Sequence, residues 1–353
     1  MVRNHRCLGD DRTYAPWLNY EEHAEETRKP FLKESTLAKQ LQGLIRYATL
    51  AANGHNTQPW NFSIHGATIH IIPDYSRRLA AVDPLDRELW ISLGCALENL
   101  VIAAQAAGYE SAVTYPAAEA DYIQVRLREI ATPANPLFDV IPIRQNTRSL
   151  YNGQPVPTAD LRQVMSIPLD SGISMQVITA QNDIESILEY VKAGDQRQYG
   201  DQAFINELVS WIRFNKSEAF RMLDGLYARC SGNPEVPRWL GRLFVSTGSA
   251  KGQVSTDEKN VRSSSGLLAI ISETDEKQAW IDSGRVYERL ALTLTKLEIR
   301  SAHLNQPIEV GELRSGLQRY LNLGAAQSQL LLRFGYADLM PRSLRRPVDQ
   351  VLV

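Results

Sequence analysis

One stretch of this chain spells itself twice. Trp90-Ile91-Ser92-Leu93-Gly94, followed by Glu98 and Leu100, aligns without a gap on Trp280-Ile281-Asp282-Ser283-Gly284, followed by Glu288 and Leu290. Ser111-Ala112 meets Ser301-Ala302 at the same offset. Seven identities at one offset exceed what two unrelated amphipathic helices ordinarily share, and each copy follows a short strand-like run, Thr68 to Ile72 and Leu267 to Ile271. An internal duplication therefore constrains the fold to two similar halves, with chance likeness of two buried helices as the competing explanation. The spacing is far too long for a solenoid repeat. If the halves associate as an isologous dimer does, the two long helices pack across a pseudo-twofold axis and the chain is expected to be a monomer.

Local patterns fill in the halves. From Thr36 to Ala52, Leu37, Leu41, Leu44, Ile45 and Ala48 recur at helical steps, which predicts a helix that stops at Asn53-Gly54. Phe62 to Ile64 and Thr68 to Ile72 read as a hairpin around His65-Gly66. Arg87 to Ala107 is apolar on most faces and ends at Gly108, the pattern of a core helix. Strands are expected over Ala112 to Tyr115 and Tyr122 to Leu127, a linker over Thr132 to Pro142, and an irregular insertion or lid over Tyr227 to Ser265. The expected architecture is α+β: an arm over 1–35, a first half over 36–140, and a second half over 141–353 with a lid-like insertion at about 203–262.

Charge and cysteine usage exclude several function classes. Lys and Arg total 38 against 40 Asp and Glu, which supplies no field for gripping a polyanion, so no nucleic-acid partner is expected. Cys7, Cys95 and Cys230 are an odd number in no metal-binding spacing, so neither a disulfide framework nor a metal site is expected. Met1 to Tyr20 lacks the apolar run of a secretory signal, and Leu97 to Gly108 carries Glu98, Asn99 and Gln105 and falls short of the roughly 20 residues that cross a bilayer. A cytoplasmic protein with no membrane partner is expected. No HExxH, GxSxG, P-loop or GxGxxG signature occurs, and no catalytic acid or nucleophile stands out.

Three segments carry candidate chemistry. Asn53-Gly54-His55-Asn56-Thr57-Gln58-Pro59-Trp60 offers amide, hydroxyl and imidazole groups on a loop after a helix, suited to a flat polar heterocycle. The same letters would make a turn whose amides bond their own backbone. Arg144-Gln145-Asn146-Thr147-Arg148, if extended, points two guanidiniums and an amide the same way, suited to a phosphate or an electron-rich ring edge; a solvated charge pair is the alternative. Pro341-Arg342-Ser343-Leu344-Arg345-Arg346-Pro347 is either an anion-binding cluster or a mobile tail.

Together these segments resemble the FMN-dependent nitroreductase family. Arg144 to Arg148, leading into Pro155-Val156-Pro157, is similar to the family's R-x-S-x-R segment and following turn, and Asn56-Thr57-Gln58-Pro59-Trp60 is similar to its N-x-Q-P-W loop. Pro307-Ile308-Glu309 resembles the segment that lies over the flavin ring, and Phe334-Gly335-Tyr336 with the Arg342 to Arg346 cluster resembles the closing strand and basic stretch. The likeness spans roughly residues 36 to 350. In single-copy members the arginine segment comes first; here the N-x-Q-P-W loop precedes it by about ninety residues, so the halves have divided the motifs. Asp83-Pro84-Leu85-Asp86-Arg87-Glu88 and Glu207-Leu208-Val209-Ser210-Trp211 are similar to the duplicated, Acg-type subgroup.

Family members are homodimers with composite flavin sites, so the resemblance implies one surviving composite FMN site. It implies Arg144, Asn146 and Arg148 at the flavin and its phosphate, Asn53, Asn56 and Gln58 reaching across from the first half, and Pro307 and Glu309 over the ring. Arg342 and Arg345 would complete an anion cage. Asn53 and Asn146 stand where the family usually has Ser. NAD(P)H is the implied reductant, with a nitroaromatic, quinone or similar small molecule as electron acceptor; a flavin-sequestering protein with a lid is the alternative.

Overall fold

The computed structural model describes residues 16–30, 36–117, 120–131, 135–248 and 250–353. Most of the expected arm and part of the expected linker therefore lie outside the described residues. Two four-stranded sheets carry the duplication into three dimensions. The first holds β1 (Trp60–His65), β2 (Thr68–Pro73), β3 (Tyr109–Thr114) and β4 (Ile123–Glu129) in the order β1-β2-β4-β3. The second holds β5 (Ile173–Ile178), β8 (Gly266–Ser272), β9 (Arg300–His303) and β10 (Gln327–Gly335) in the order β5-β8-β10-β9. Every neighbouring pair is antiparallel, and in each sheet one long helix joins the second strand to the third: α3 (Arg87–Ala106) and α10 (Lys277–Lys296).

The difference between the halves lies between their first two strands. In the first half that link is the tight turn at Gly66, whose φ of 61° suits glycine. In the second half it is five helices, α5 (Gln181–Tyr199), α6 (Gln202–Trp211), α7 (Lys216–Met222), α8 (Arg238–Thr247) and α9 (Ala250–Arg262), with a two-stranded parallel pair, β6 (Ile212–Arg213) and β7 (Leu226–Tyr227). The stretch expected to be irregular is thus largely helical. Leu240 and Phe244 recur at a helical step in α8, and Val254, Asn260 and Val261 anchor α9, but interleaved Gly, Ser and Lys mask that period in the letters. The remaining helices are α1 (Pro16–Glu26), α2 (Leu37–Thr49), α4 (Thr158–Met165), α11 (Gln306–Glu309) and α12 (Gly311–Tyr320).

Helices α3 and α10 cross at near-zero backbone clearance. A Cβ added to Gly94 would stand 2.0 Å from the Ile281 carbonyl oxygen, and one added to Gly284 would stand 2.0 Å from the Ile91 carbonyl oxygen. Residue 94 meets 281 while 284 meets 91, which is the reciprocal contact of an isologous interface folded into one chain. The Cys95 thiol donates to the Gly284 carbonyl at 3.3 Å beside the crossing. By length and composition α3 could cross a membrane, but 83% of its most apolar window is buried, so it serves as a core helix.

Chain termini and linkers finish both sheets. Phe62 N–H donates to the Val351 carbonyl at 2.7 Å, which lays the carboxyl-terminal segment beside β1. Thr147 N–H donates to Ser301 at 3.0 Å, which lays the Arg144–Arg148 segment beside β9. Gly94→Ala and Gly284→Ala should each destabilise the chain by roughly 3 kcal/mol, because each Cβ meets rigid backbone. Urea midpoints of the two variants should fall together; a neutral result at either position would contradict the close crossing.

Candidate functional site

The loop after α2 is held in an unusual shape. Thr36 caps α2 by accepting from Lys39 N–H at 3.4 Å, and the helix ends at Leu50. His55, Asn56 and Gln58 then take φ values of 47°, 53° and 53°. Left-handed backbone costs a non-glycine residue roughly 1–2 kcal/mol, so three such residues in four positions need strong restraints. Asn53 Oδ1 accepts from Gln58 N–H at 2.9 Å. The Asn56 amide donates to the carbonyls of Gly225 at 3.0 Å and Leu344 at 3.2 Å. Gln58 donates to Leu223 and accepts from Arg346 N–H, both at 2.8 Å. The amides of Asn53, Asn56 and Gln58 are thus spent on backbone, with the Asn56 oxygen taken by Arg345: they shape the loop and clamp residues 223–225 and 344–346 around it. Trp60 is fully buried behind the loop.

Guanidiniums from three separate segments gather near this loop. Arg144 is buried, donates to Leu50 at 3.0 Å, and lies 3.0 Å from the Glu288 carboxylate, which also accepts from Ala52 N–H at 3.2 Å. Burial opposes the Arg144 charge, but Glu288 together with Tyr287 and Cys95 outweighs it, so its pKa is raised. Arg345 is buried and donates to Thr49 at 2.9 Å, Asn56 at 2.7 Å and Ser343 at 2.8 Å. Arg28 donates to the Ser343 carbonyl at 2.9 Å. Burial and neighbouring guanidiniums push Arg345 down to about 9 and Arg28 to about 10. The Arg342 carbonyl accepts from Tyr20 at 2.7 Å, which ties this stretch to α1. Arg148 is exposed and approaches Ser231 at 3.4 Å, and desolvation by the protein around it lowers its pKa. Among the described residues, no carboxylate pairs with Arg28, Arg148, Arg342 or Arg345.

The remaining expected residues border the same region. Asn146 accepts from Tyr287 at 3.0 Å and lies 3.2 Å from His303 Nδ1. Burial and the guanidiniums of Arg148 and Arg144 push His303 down to about 3, and burial and Arg148 push His55 to about 4, so both imidazoles are neutral at pH 7. Pro307 is buried in α11, and Glu309 accepts from Gln198. Glu88 links α11 to the loop: its Oε1 accepts from Asn305 at 3.2 Å, and its Oε2 would be 3.8 Å from a Cβ on Gly54. The structure therefore brings the arginine segment, the loop, Arg345 and α11 together. The tail reading of 341–347 does not hold, since Arg345 and Arg346 are buried and pinned by their own donors. Sequence reasoning missed Arg28, His55, Glu88, Tyr287 and His303. His55 lay inside a quoted motif, whereas Arg28 sits in a polar run that looks like any surface helix.

Helix α11 rests on α5 through two rungs, Asp195 with Gln306 and Gln198 with Glu309. The Gln306 amide donates to Asp195 at 3.1 Å and to Asp257 at 3.0 Å. Burial first, and the Asp257 charge second, raise Asp195 to about 8. Its folded pKa lies above the unfolded value of about 4, so unfolding releases a proton between these limits and stability falls as pH rises from about 4 to 8. Asp195→Asn should flatten that slope in urea midpoints measured across pH 4 to 8. Glu288→Gln should cost about 3 kcal/mol by leaving Arg144 buried without its counter-charge, read by the same assay.

No family model matches the chain. A Mycobacterium tuberculosis protein named "Putative NAD(P)H nitroreductase" is 24% identical over 326 residues, covering 89% of this chain and 91% of the relative. A Serratia protein named "Probable NAD(P)H nitroreductase PigM" is 24% identical over 221 residues, covering 59% of this chain and 61% of the relative. Among solved structures, the FMN-dependent nitroreductase NfnB from Mycobacterium smegmatis in complex with NADPH aligns at 16% identity with a TM-score of 0.37, covering 56% of this chain and 90% of that one. The motif resemblance and the relatives thus converge: along nine-tenths of its length, this chain is similar to a protein named as an NAD(P)H nitroreductase.

Proposed function

We propose that this chain is an FMN-dependent, nitroreductase-like NAD(P)H oxidoreductase with one composite flavin site between its halves, 36–140 and 141–353. The observation that carries the reading is a group of guanidiniums without an ion-paired carboxylate among the described residues: Arg345 bonds Asn56 of the strained loop, Arg148 acts on His55, and Arg28 stands beside Arg345 and Arg342. Uncompensated cations in a partly desolvated recess favour a dianionic ligand, because charge-assisted bonds to phosphate contribute roughly 1.5–3 kcal/mol each. A flavin carrying a phosphate fits, and riboflavin alone leaves the cations unpaired.

On this reading Arg28, Arg148, Arg342 and Arg345 hold the phosphate. Arg144, kept charged by Glu288, faces the flavin's electron-rich edge with Asn146, and the neutral imidazoles of His55 and His303 line the recess without adding charge. Asn53, Asn56 and Gln58 keep the loop in shape, and α11 covers the ring with Pro307 and Glu309. When bound, FMN supplies hydride exchange between NAD(P)H and an acceptor such as a nitroaromatic or quinone; the protein orients it and favours its anionic reduced form. Since α3 and α10 already satisfy each other, we read the chain as a monomer of 39.7 kDa, acting in the cytoplasm.

A second reading draws on the insertion. Ser231 approaches Arg148, and Gly225 bonds Asn56, so the helices between β5 and β8 close onto the site. A closed insertion would sequester flavin and slow NAD(P)H. Stopped-flow reduction separates the two: a flavin reduced in milliseconds to seconds and reoxidised by a quinone supports the oxidoreductase, whereas one that resists NAD(P)H supports sequestration.

Arg148→Ala and Arg28→Ala should each weaken FMN binding by ~10-fold or more while leaving riboflavin affinity unchanged, measured by fluorescence titration. A purified protein that is colourless and refuses added FMN would defeat the reading, and light scattering showing a dimer would remove the monomer.

A further inference from the structure

We propose that α8 is a membrane-docking helix that seats the chain on an anionic lipid surface through Trp239, Leu243 and Phe244. Helix α8 packs chiefly on α6, and three residues at helical steps fix its inner side. A Cβ on Gly241 would stand 2.1 Å from the Phe214 ring, and Val245 joins the apolar cluster of Leu79, Val82 and Phe204. Arg238 lies over the Phe214 ring at 5.7 Å and pairs with Glu218 at 3.1 Å. The other side carries Trp239, Leu240, Leu243 and Phe244, whose steps of one, four and five residues keep them on one face at about 100° per residue.

An ordinary surface helix turns its apolar side to the core; here that side faces out. Trp239 is 70% exposed, Leu243 51% and Phe244 60%, and no other Trp or Phe among the described residues is exposed. Large apolar groups scattered singly over a surface need no partner, but three on one ten-residue helix make a patch.

Charge points to what covers it. From Val236 to Thr256 the chain has three cations, Arg238, Arg242 and Lys251, and no acid, in a protein whose formal charge is -2. Glu218 neutralises Arg238, while Arg242 and Lys251 are exposed and pair with no carboxylate among the described residues. Arg242 borders the apolar face beside Leu243, and Lys251 follows the carboxyl end of the helix. An apolar face edged by uncompensated cations complements a surface that is anionic outside and apolar beneath, as headgroups over acyl chains are. Indole and phenyl rings favour that boundary. A second copy of α8 set face to face would instead bring the same cations together. Ten residues extend about 15 Å, too short to cross a bilayer, so the helix lies in the plane of the interface. The expectation of no membrane partner rests on the lack of a spanning segment, which a surface-lying helix does not need.

Sedimentation of the full-length chain with vesicles tests the proposal. The protein should pellet with phosphatidylcholine vesicles that carry phosphatidylglycerol, bind pure phosphatidylcholine vesicles at least ~10-fold more weakly, and leave the anionic ones as salt screens the attraction. Arg242→Gln and Lys251→Gln should each weaken anionic-vesicle affinity ~5-fold, the equivalent of about 1 kcal/mol per cation at such a surface. Replacing Trp239, Leu243 and Phe244 together by Ser should abolish pelleting and leave the urea midpoint unchanged, since all three are exposed. Failure of the wild-type chain to pellet with anionic vesicles, equal binding to neutral ones, or pelleting that survives the triple substitution overturns the proposal. A wild-type dimer that the triple substitution makes monomeric also overturns it, by giving the face to a second copy. Should the triple variant lose stability, the two charge variants decide, and undiminished binding by both overturns docking. None of these readouts uses flavin, so they stand apart from the oxidoreductase reading.

Discussion

The architecture depends on one close approach, the crossing of α3 and α10 at Gly94 and Gly284. Backbone meets backbone there with no room for a methyl group, so the helices can approach only where both copies keep glycine. The reciprocal pairing of Gly94 with Ile281 and Gly284 with Ile91 fixes the pseudo-twofold axis, and the two sheets with their matching strand orders follow from it. Dispersion and burial along two largely buried 20-residue helices then supply the cohesion a dimer interface would otherwise provide.

Around that axis the copies have diverged in charge. Glu98 and Glu288 are equivalent, yet Glu98 is gripped by Arg285 at 2.9 Å and Arg289 at 2.7 Å, whereas Glu288 pairs with Arg144 at 3.0 Å and acts on Arg345. The residues equivalent to Arg285 and Arg289 in the first copy are Cys95 and Asn99, which carry no charge. Asp170 closes the Glu98 side by pairing with both of those arginines. One side of the axis is thereby a filled, self-neutralised ion network, and the other faces the guanidinium-rich recess. A buried carboxylate must find cations within reach, and the two copies found them in different places.

The fold was legible in the letters wherever a pattern was local. The helix from Arg87, the hairpin around Gly66 and the β8–α10 repeat came out within a residue or two, because apolar periodicity and turn glycines are set by neighbouring residues. The insertion was misread because α8 and α9 carry Gly, Ser and charges at positions that only their packing leaves exposed. In the site, the arginine segment and the loop were visible as motifs, but their roles were not. Asn56 and Gln58 looked like ligand-binding amides, and their partners are the backbone of Gly225, Leu344 and Leu223, more than 150 residues away.

By itself the sequence determined that two copies exist, that each has a long core helix, and that cationic and amide-rich segments are shared between them, since identities at a fixed offset and residue types need no coordinates. Tertiary structure alone decided which charges are left uncompensated. Arg28, Arg148 and Arg345 come from segments with no sequence relation, and whether a guanidinium is neutralised depends on the carboxylates within a few ångströms of it in space, a quantity that no local pattern encodes.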